Sequence, residues 1–366
     1  MSKTLSIPRS PSEVTSAWLS DVLSKNGVPV AVSDVRVSPI GTGQTGATYR
    51  ILASYPATQP GLPDSFVLKM AAQDDSIRER VIPGYRSECA FYESVASRVL
   101  IPTPECYHSD ISADGTQFAL LLADRLSAVQ GDQIGGCGAE QAAQAARALA
   151  KLHGPTWCDP VWRDFPALSM TMTDMAAVDM LGEVAVMSAG MVIDKIGPRL
   201  SAEDQDTLTT AMGLVKPWLL DTPERFALMH GDYRLDNMLF DEESGRMTVV
   251  DWQTLGVGLP ARDLAYFIGT SLVPELRASI EGQLVDAYHR VLLEYGISGF
   301  SRESCWRDYR LGMLQALLIP SLGCAFAVDT ERGDDMFIVM LQRGCRAIRE
   351  LKSLDLLETP ASQRSS

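Results

Sequence analysis

Seven cysteines in 366 residues never form a C-x-x-C pair. Their odd number and wide spacing exclude a disulfide framework or a zinc ribbon, and leave thiols serving as small core residues in a reducing compartment. The location expected on that basis is cytoplasmic. Basic clusters are also missing: 32 Lys and Arg face 46 Asp and Glu, a net charge of −14. That balance excludes nucleic acid as a partner, because a polyanion demands a local basic patch. The opening residues lack the apolar core of a signal segment. The most apolar run, 311–328, is interrupted by Gln315, Pro320 and Ser321, so it reads as a buried helix pair and no membrane span is expected. Internal repeats and low-complexity segments are absent too. What remains is ordinary for a globular enzyme, 46% hydrophobic and 21% charged, in a chain long enough for two cores. The sequence is silent on oligomeric state.

The texture changes along the chain. A helix is expected over 12–25, with Trp18, Leu19, Val22 and Leu23 on one side and Gly27 as its stop. Alternating β-branched runs follow at 35–40, 48–52 and 66–70, then a helical segment at 86–99, then strands near 105–108 and 118–122. Beyond Arg125 helical spacing dominates, at 140–153, 170–196, 202–220, 261–271, 275–295, 302–326 and 336–351. Gly154-Pro155 reads as a sharp helix stop. The expected architecture is α+β. A small lobe (1–125), with an N-terminal helix and a five-stranded sheet, precedes a larger helical lobe (126–366).

The most informative stretch is His230-Gly-Asp-Tyr-Arg-Leu-Asp-Asn237, followed by Asp251-Trp252-Gln253. Asp232 stands five residues before Asn237, and Asp251 fourteen after it, beyond two short apolar runs that read as a hairpin. Phosphoryl transfer of the kinase type needs that inventory. One carboxylate, Asp232, orients and deprotonates a hydroxyl from within about 2.6–3.2 Å. An amide and a second carboxylate, Asn237 and Asp251, offer hard oxygens to Mg²⁺ on ATP. His230 is expected to brace the loop by hydrogen bonds, and Arg234 and Asp236 to be structural or solvated. Asp263, in the Arg262-Asp263-Leu264-Ala265 segment that opens a helix, reads as a complement to the helix N-terminus, with bracing of the catalytic loop as the alternative.

Upstream, Gly41, Gly43 and Gly46 spell G-x-G-x-x-G. A dinucleotide fingerprint requires a helix after the last glycine, whereas 47–52 alternates like a strand. A glycine-rich turn between strands covers ATP phosphates in kinases, and it is also an ordinary hairpin turn. Lys69, inside the apolar strand 66–70, reads either as an outward-facing strand residue or as an ammonium touching the α- and β-phosphates. In the second case Glu88 on the next helix would pair with it, since an unpaired buried ammonium is costly. Residues 121–124 have the place of an inter-lobe hinge, where the backbone at Ala123 would meet adenine. Methionines 170, 172, 175, 180, 187 and 191 read as core packing or as an adaptable apolar acceptor pocket.

Taken together these residues resemble the aminoglycoside phosphotransferase and choline kinase superfamily, small-molecule relatives of protein kinases. That family's catalytic loop reads H-G-D-x-x-x-x-N, with D-W or D-F at the second metal ligand. Protein kinases carry an arginine where Gly231 stands, D-F-G where Asp251-Trp252-Gln253 stands, and an A-P-E element that this chain lacks. Residues 120–124, Gly131-Asp132-Gln133 and 148–153 are most similar to the ecdysteroid-kinase-like (CHK-like) branch. The resemblance spans residues 35–350 and implies a two-lobed protein-kinase-like fold, with ATP and Mg²⁺ as cofactors. It also implies Asp232 as base, Asn237 and Asp251 as metal ligands, and Lys69 paired with Glu88 over the phosphates. The partner it implies is a small hydroxyl compound: an apolar alcohol, or a cationic aminoglycoside- or choline-like acceptor. A non-catalytic nucleotide-binding protein is the reading from another class.

Overall fold

The computed structural model describes residues 6–24, 29–41, 46–57, 59, 61–168, 175–221 and 225–358. The chain forms two compact units. The first comprises Met1–Arg98, Thr103–Ala128 and Asp241–Gln253; the second comprises Val99–Pro102, Val129–Phe240 and Thr254–Ser366. The sequence reading drew one boundary at 125/126, whereas the excursion Asp241–Gln253 groups with the N-terminal unit.

In the first unit helix α1 (Ser16–Leu23) precedes β1 (Asp34–Pro39), β2 (Gly46–Ser54) and β3 (Ser65–Ala71). Then come α2 (Asp75–Arg80), α3 (Ile82–Ala90), a π-type turn over Phe91–Val95, β4 (Cys106–Ile111) and β5 (Phe118–Ala123). The five strands form one antiparallel sheet in the order β1-β2-β3-β5-β4. Alternation along β3 sends Phe66, Leu68 and Met70 into a core with Ile51, Leu121 and Trp18, Leu19 and Val22 of α1. Lys69, out of phase with them, pairs across the sheet with Thr48 and Leu120. Thr15 caps α1 by accepting from the Trp18 N–H at 3.1 Å.

The second unit is largely helical. It opens on β6 (Val129–Gln130) and α4 (Ala139–Thr156), followed by α5 (Met175–Ile196), α6 (Ala202–Gly213) and α7 (Val215–Leu220). Short strands β7 (Ala227–Met229), β8 (Met238–Asp241) and β9 (Gly256–Gly258) come next. Helices α8 (Ala261–Ser271), α9 (Pro274–Glu294), α10 (Arg302–Gly312), α11 (Gln315–Phe326), α12 (Glu331–Leu351) and α13 (Asp355–Glu358) complete it. Strand β9 pairs antiparallel with β7, Gly256 opposite Met229, and β6 pairs with β8.

Three helical expectations are corrected. Helix α4 does not stop at Gly154-Pro155 but runs to Thr156. Gly154 is there for packing, since an added Cβ would collide with the Tyr295 ring. The segment 202–220 breaks at Leu214, where Pro217 lacks the N–H that would bond the Gly213 carbonyl. The segment 302–326 breaks after Gly312, beside the Leu311 carbonyl that accepts from Trp218 Nε1 at 2.7 Å. The described methionines of α5, Met175, Met180, Met187 and Met191, are exposed, so the core-packing reading does not hold for them. Small residues face inward instead (Gly182, Ala185, Ser188 and Ala189), and a Cβ on Gly182 would lie 2.9 Å from Lys216 Cβ. Met170 and Met172 lie outside the described residues, as do Gly27 and the last eight residues. Two helical stretches, Met175–Arg199 and Arg302–Phe326, are long and apolar enough to cross a membrane. Of their apolar windows, 33% and 67% respectively is buried inside the protein.

Candidate active site

The first unit holds a lysine shared by two carboxylates. Lys69 Nζ donates to Glu88 Oε1 at 2.6 Å and to Asp251 Oδ1 at 3.0 Å. Glu88, on α3, is fully buried, while the Asp251 side chain stays 37% exposed. Gln253 Nε2 donates to the other Glu88 oxygen at 3.3 Å, so neither oxygen of the buried carboxylate lacks a donor. Burial pulls the Lys69 pKa down, but Asp251 and Glu88 more than offset it and hold the ammonium charged. Burial also pushes the Glu88 carboxyl above its usual range, against the pull of Lys69 and Gln253. Asp251 sits at φ +69°, a left-handed conformation that costs a non-glycine residue about 1–3 kcal/mol.

At the nucleotide-loop positions, Gly41 has φ +73°, as a turn glycine does. Gly46 opens β2 opposite Ala71, and Gly43 lies outside the described residues. Ala123 ends β5, and its N–H donates to the Glu105 carbonyl at 2.8 Å. Beside it Asp124 accepts from Arg50 Nε at 2.6 Å and Ser65 Oγ at 2.5 Å.

The second unit carries the loop after β7. Asp263, fully buried in the first turn of α8, accepts from the N–H groups of His230 at 2.6 Å and Gly231 at 3.0 Å. Of the two readings of Asp263, the structure realises the brace. Gly231 has φ +84°, a conformation that leaves little place for a side chain. Asp232 N–H donates to His230 Nδ1 at 3.3 Å, the bracing expected of His230.

The Asp232 carboxylate is met by three donors: Tyr266 Oη at 2.7 Å on Oδ1, with Arg234 Nε and Asn237 Nδ2 each at 3.0 Å on Oδ2. Burial raises its pKa, but the charge of Arg234 and the Tyr266 hydroxyl outweigh that and set it below the usual carboxylate value. At neutral pH Asp232 is therefore ionised, and a better orienter of a hydroxyl than a proton sink. Asn237 spends its amide nitrogen on Asp232 Oδ2 and the Asp232 carbonyl, the latter at 2.9 Å. Its oxygen is the atom left with ligand capacity.

A second layer fixes this loop. Asp236 accepts from Arg234 at 3.3 Å, from Arg332 of α12 at 3.0 and 3.2 Å, and from the Gln133 N–H at 3.2 Å. Gln133, fully buried, accepts from the Leu235 N–H at 2.9 Å and donates to the Thr270 carbonyl at 3.0 Å. Arg343 donates to the Gln133 and Thr270 carbonyls at 2.9 and 3.0 Å.

Sequence reasoning missed Tyr266, Gln253, Gln133, Arg332 and Asp124. Tyr266 carried a signal, three residues after Asp263 and hence on the same helix face. Gln253 and Gln133 lay inside quoted motifs without an assigned task, and nothing local marks Arg332.

A small antiparallel-sheet unit followed by a larger helical one, each with such a set, is the architecture of the kinase-like α+β class. The chain belongs to the phosphotransferase enzyme family, whose model matches residues 36–297. Its fold is shared by a Ralstonia eutropha protein described provisionally as an aminoglycoside phosphotransferase. That match has a TM-score of 0.53 and 16% identity over 92% of this chain and 97% of the other. A microcompartment-associated aminopropanol kinase matches with TM-score 0.51 and 15% identity over 87% and 93% of the two chains. Plasmodium vivax ethanolamine kinase matches with TM-score 0.50 and 11% identity over 89% and 87%. Among curated proteins, 62 residues are 39% identical to acyl-CoA dehydrogenase family member 11 of Homo sapiens, which is 16% of this chain and 8% of that protein's length.

Proposed function

We propose that this phosphotransferase moves the γ-phosphoryl group of ATP to a hydroxyl of a small apolar organic acceptor. Asp232, held by three donors in one orientation, carries the reading: it accepts and orients the acceptor hydroxyl. Lys69, kept charged between Glu88 and Asp251, draws the nucleotide phosphates. Asn237 and Asp251 are assigned to Mg²⁺. Each offers a hard oxygen of the kind Mg²⁺ takes beside water and phosphate. When bound, Mg²⁺ would shield the negative charge of the phosphate oxygens. Gly41, Gly43 and Gly46 are assigned to the phosphates and the backbone near Ala123 to adenine. Within the family, residues 120–124, 131–133 and 148–153 support the CHK-like branch.

The apolar character of the acceptor rests on what surrounds Asp232. Tyr266 belongs to a cluster with Met336 and Met340, flanked by Ile134, Ile319 and Phe337. Most acids of the loop and around the start of α12 are already paired: Asp232 with Arg234, Asp236 with Arg332, Asp329 and Asp334 with Lys195, Asp335 with Arg199. A cationic acceptor would have to compete with those pairs. The second reading, a cationic amino alcohol, is favoured by the net charge of −14 and by the amino-alcohol kinases among the fold neighbours. A cytoplasmic setting is part of the proposal, supported by seven unpaired thiols.

ADP release from Mg²⁺-ATP across aminoglycosides, choline-like amines, sterols and terpenoid alcohols tests this, with Asp232→Ala alongside. An apolar alcohol should give a signal that the variant loses, with a KM that salt leaves nearly unchanged. A salt-sensitive KM for an amine would replace the first reading with the second. ATP binding without turnover on any acceptor would favour a non-catalytic nucleotide-binding protein.

A further inference from the structure

One stripe of α3 and its extension presents Gly84, Glu88 and Phe91, spaced i, i+4 and i+7, and the tripeptide Asp251-Trp252-Gln253 lies along it. At the first position a Cβ on residue 84 would stand 3.2 Å from Gln253 Cβ, so glycine there leaves room for the glutamine. At the second, Gln253 Nε2 reaches Glu88 Oε2 at 3.3 Å while Lys69 holds Oε1 at 2.6 Å. At the third, the Trp252 and Phe91 rings stack with centroids 3.6 Å apart and planes 4° from parallel. Asp251, ahead of the stack, takes the second contact of Lys69 at 3.0 Å.

We propose that Gln253 is a positioning residue: it holds Glu88, and through Glu88 the ammonium of Lys69, in register with Asp251. Gly84 is its seat and the Trp252–Phe91 stack its anchor. This rests on the assignment of Lys69 to the nucleotide phosphates. In protein kinases the glutamate-bearing helix is placed by activation-loop phosphorylation and by packing of the aromatic after the aspartate. Here the side chain following that aromatic grips the glutamate directly, so the set is assembled without a modification. A fully buried carboxylate oxygen robbed of its donor is expensive. Loss of the glutamine amide therefore frees Glu88 to shift and Lys69 to follow.

The test is the affinity of the full chain for Mg²⁺-ADP and a non-hydrolysable ATP analogue, by calorimetry and without acceptor. Thermal unfolding runs in parallel. Gln253→Met should weaken binding on the order of tenfold, the scale of a buried acceptor left bare, in a protein that stays folded. Gln253→Glu should weaken it further, by setting a carboxylate against Glu88. The exchange Glu88→Gln with Gln253→Glu restores donor and acceptor in swapped places at the cost of one carboxylate on Lys69, and should recover part of that loss. Should Gln253→Met not fold, Gly84→Ala, which crowds Gln253 by a few tenths of an ångström, should weaken binding in the same direction. Wild-type affinity in folded Gln253→Met, or an exchange pair no better than Gln253→Glu alone, overturns the inference. A wild type that binds neither nucleotide instead overturns the parent assignment of Lys69.

Discussion

The two sets of site residues solve opposite electrostatic problems. In the first unit one cation, Lys69, serves two carboxylates, Glu88 and Asp251, and leaves the set one negative charge in excess. In the second, Asp232 and Asp236 are matched by Arg234 and Arg332, and the remaining oxygen contacts go to Tyr266, Asn237 and a backbone N–H. An unbalanced carboxylate with 37% of its side chain exposed invites a further cation. A balanced and densely bonded one is fixed in place and offers orientation in place of charge. The same residue type is therefore held in two electrostatic states, and its neighbours decide which.

Removing the orienting carboxylate should have the largest consequence. Asp232→Ala is expected to lower kcat on the order of 10²–10⁴-fold while nucleotide binding survives, because Lys69 and Asp251 belong to the other set. Steady-state turnover and calorimetry on one preparation check this. An unchanged kcat would remove Asp232 from the chemistry, and a parallel loss of binding would erase the division of labour. Asp251→Asn tests the opposite half. It deletes the excess charge while keeping size, so Mg²⁺-dependent nucleotide affinity should fall at least about tenfold, the worth of one charge-assisted contact. Stability should change little, and affinity measured in EDTA should change less than affinity with Mg²⁺. Equal losses of fold and binding would mark Asp251 as structural.

Tyr266→Phe sharpens the contrast more gently. It takes one donor from Asp232 Oδ1 and leaves Arg234 and Asn237 on Oδ2, so kcat should drop on the order of tenfold, in keeping with a hydrogen bond to a charged group. KM for nucleotide should stay put. A change confined to KM would place Tyr266 outside the orienting set.

How much of this could be read from the chain depends on whether the signal is local. The five strands were legible because alternation is a nearest-neighbour pattern; Phe66, Leu68 and Met70 announce the inward face of β3 and leave Lys69 out of phase. The candidate loop could be singled out because Asp232 and Asn237 fall at fixed spacing, with Asp251 fourteen residues beyond. Helix ends were only partly legible: Pro217 is a local signal for the break at Leu214, whereas the Leu311 carbonyl meets the distant Trp218, and Gly154 answers to Tyr295 and not to the end of its own helix. The second layer was equally hidden. Arg332 meets Asp236 across 96 positions, and no periodicity reports such a pair.

The smallest expected effect concerns the brace under the loop 230–237. His153 of α4 is fully buried, with Nε2 3.5 Å from Asp263 Oδ2 and Nδ1 2.8 Å from the Tyr288 hydroxyl. Burial lowers its pKa below the ordinary histidine value, and Asp263 offsets this only in part. The unfolded chain therefore takes up a proton below about pH 6.5 that the folded protein refuses. Stability is complete above that pH and is lost as pH falls toward the folded-state value, with a slope of at most about 1.4 kcal/mol per pH unit for one proton. Asp232, whose pKa is depressed, does not confuse the window, because its contribution is lost only below the ordinary aspartate value of about 3.9. His153→Gln keeps a polar partner for Tyr288 and removes the titration. The urea midpoint of wild type should slide between pH 6.5 and 5.5 while that of the variant stays flatter. Identical slopes would mean that the brace is insensitive to the histidine beside it, and that Asp263 holds the His230 and Gly231 amides unaided.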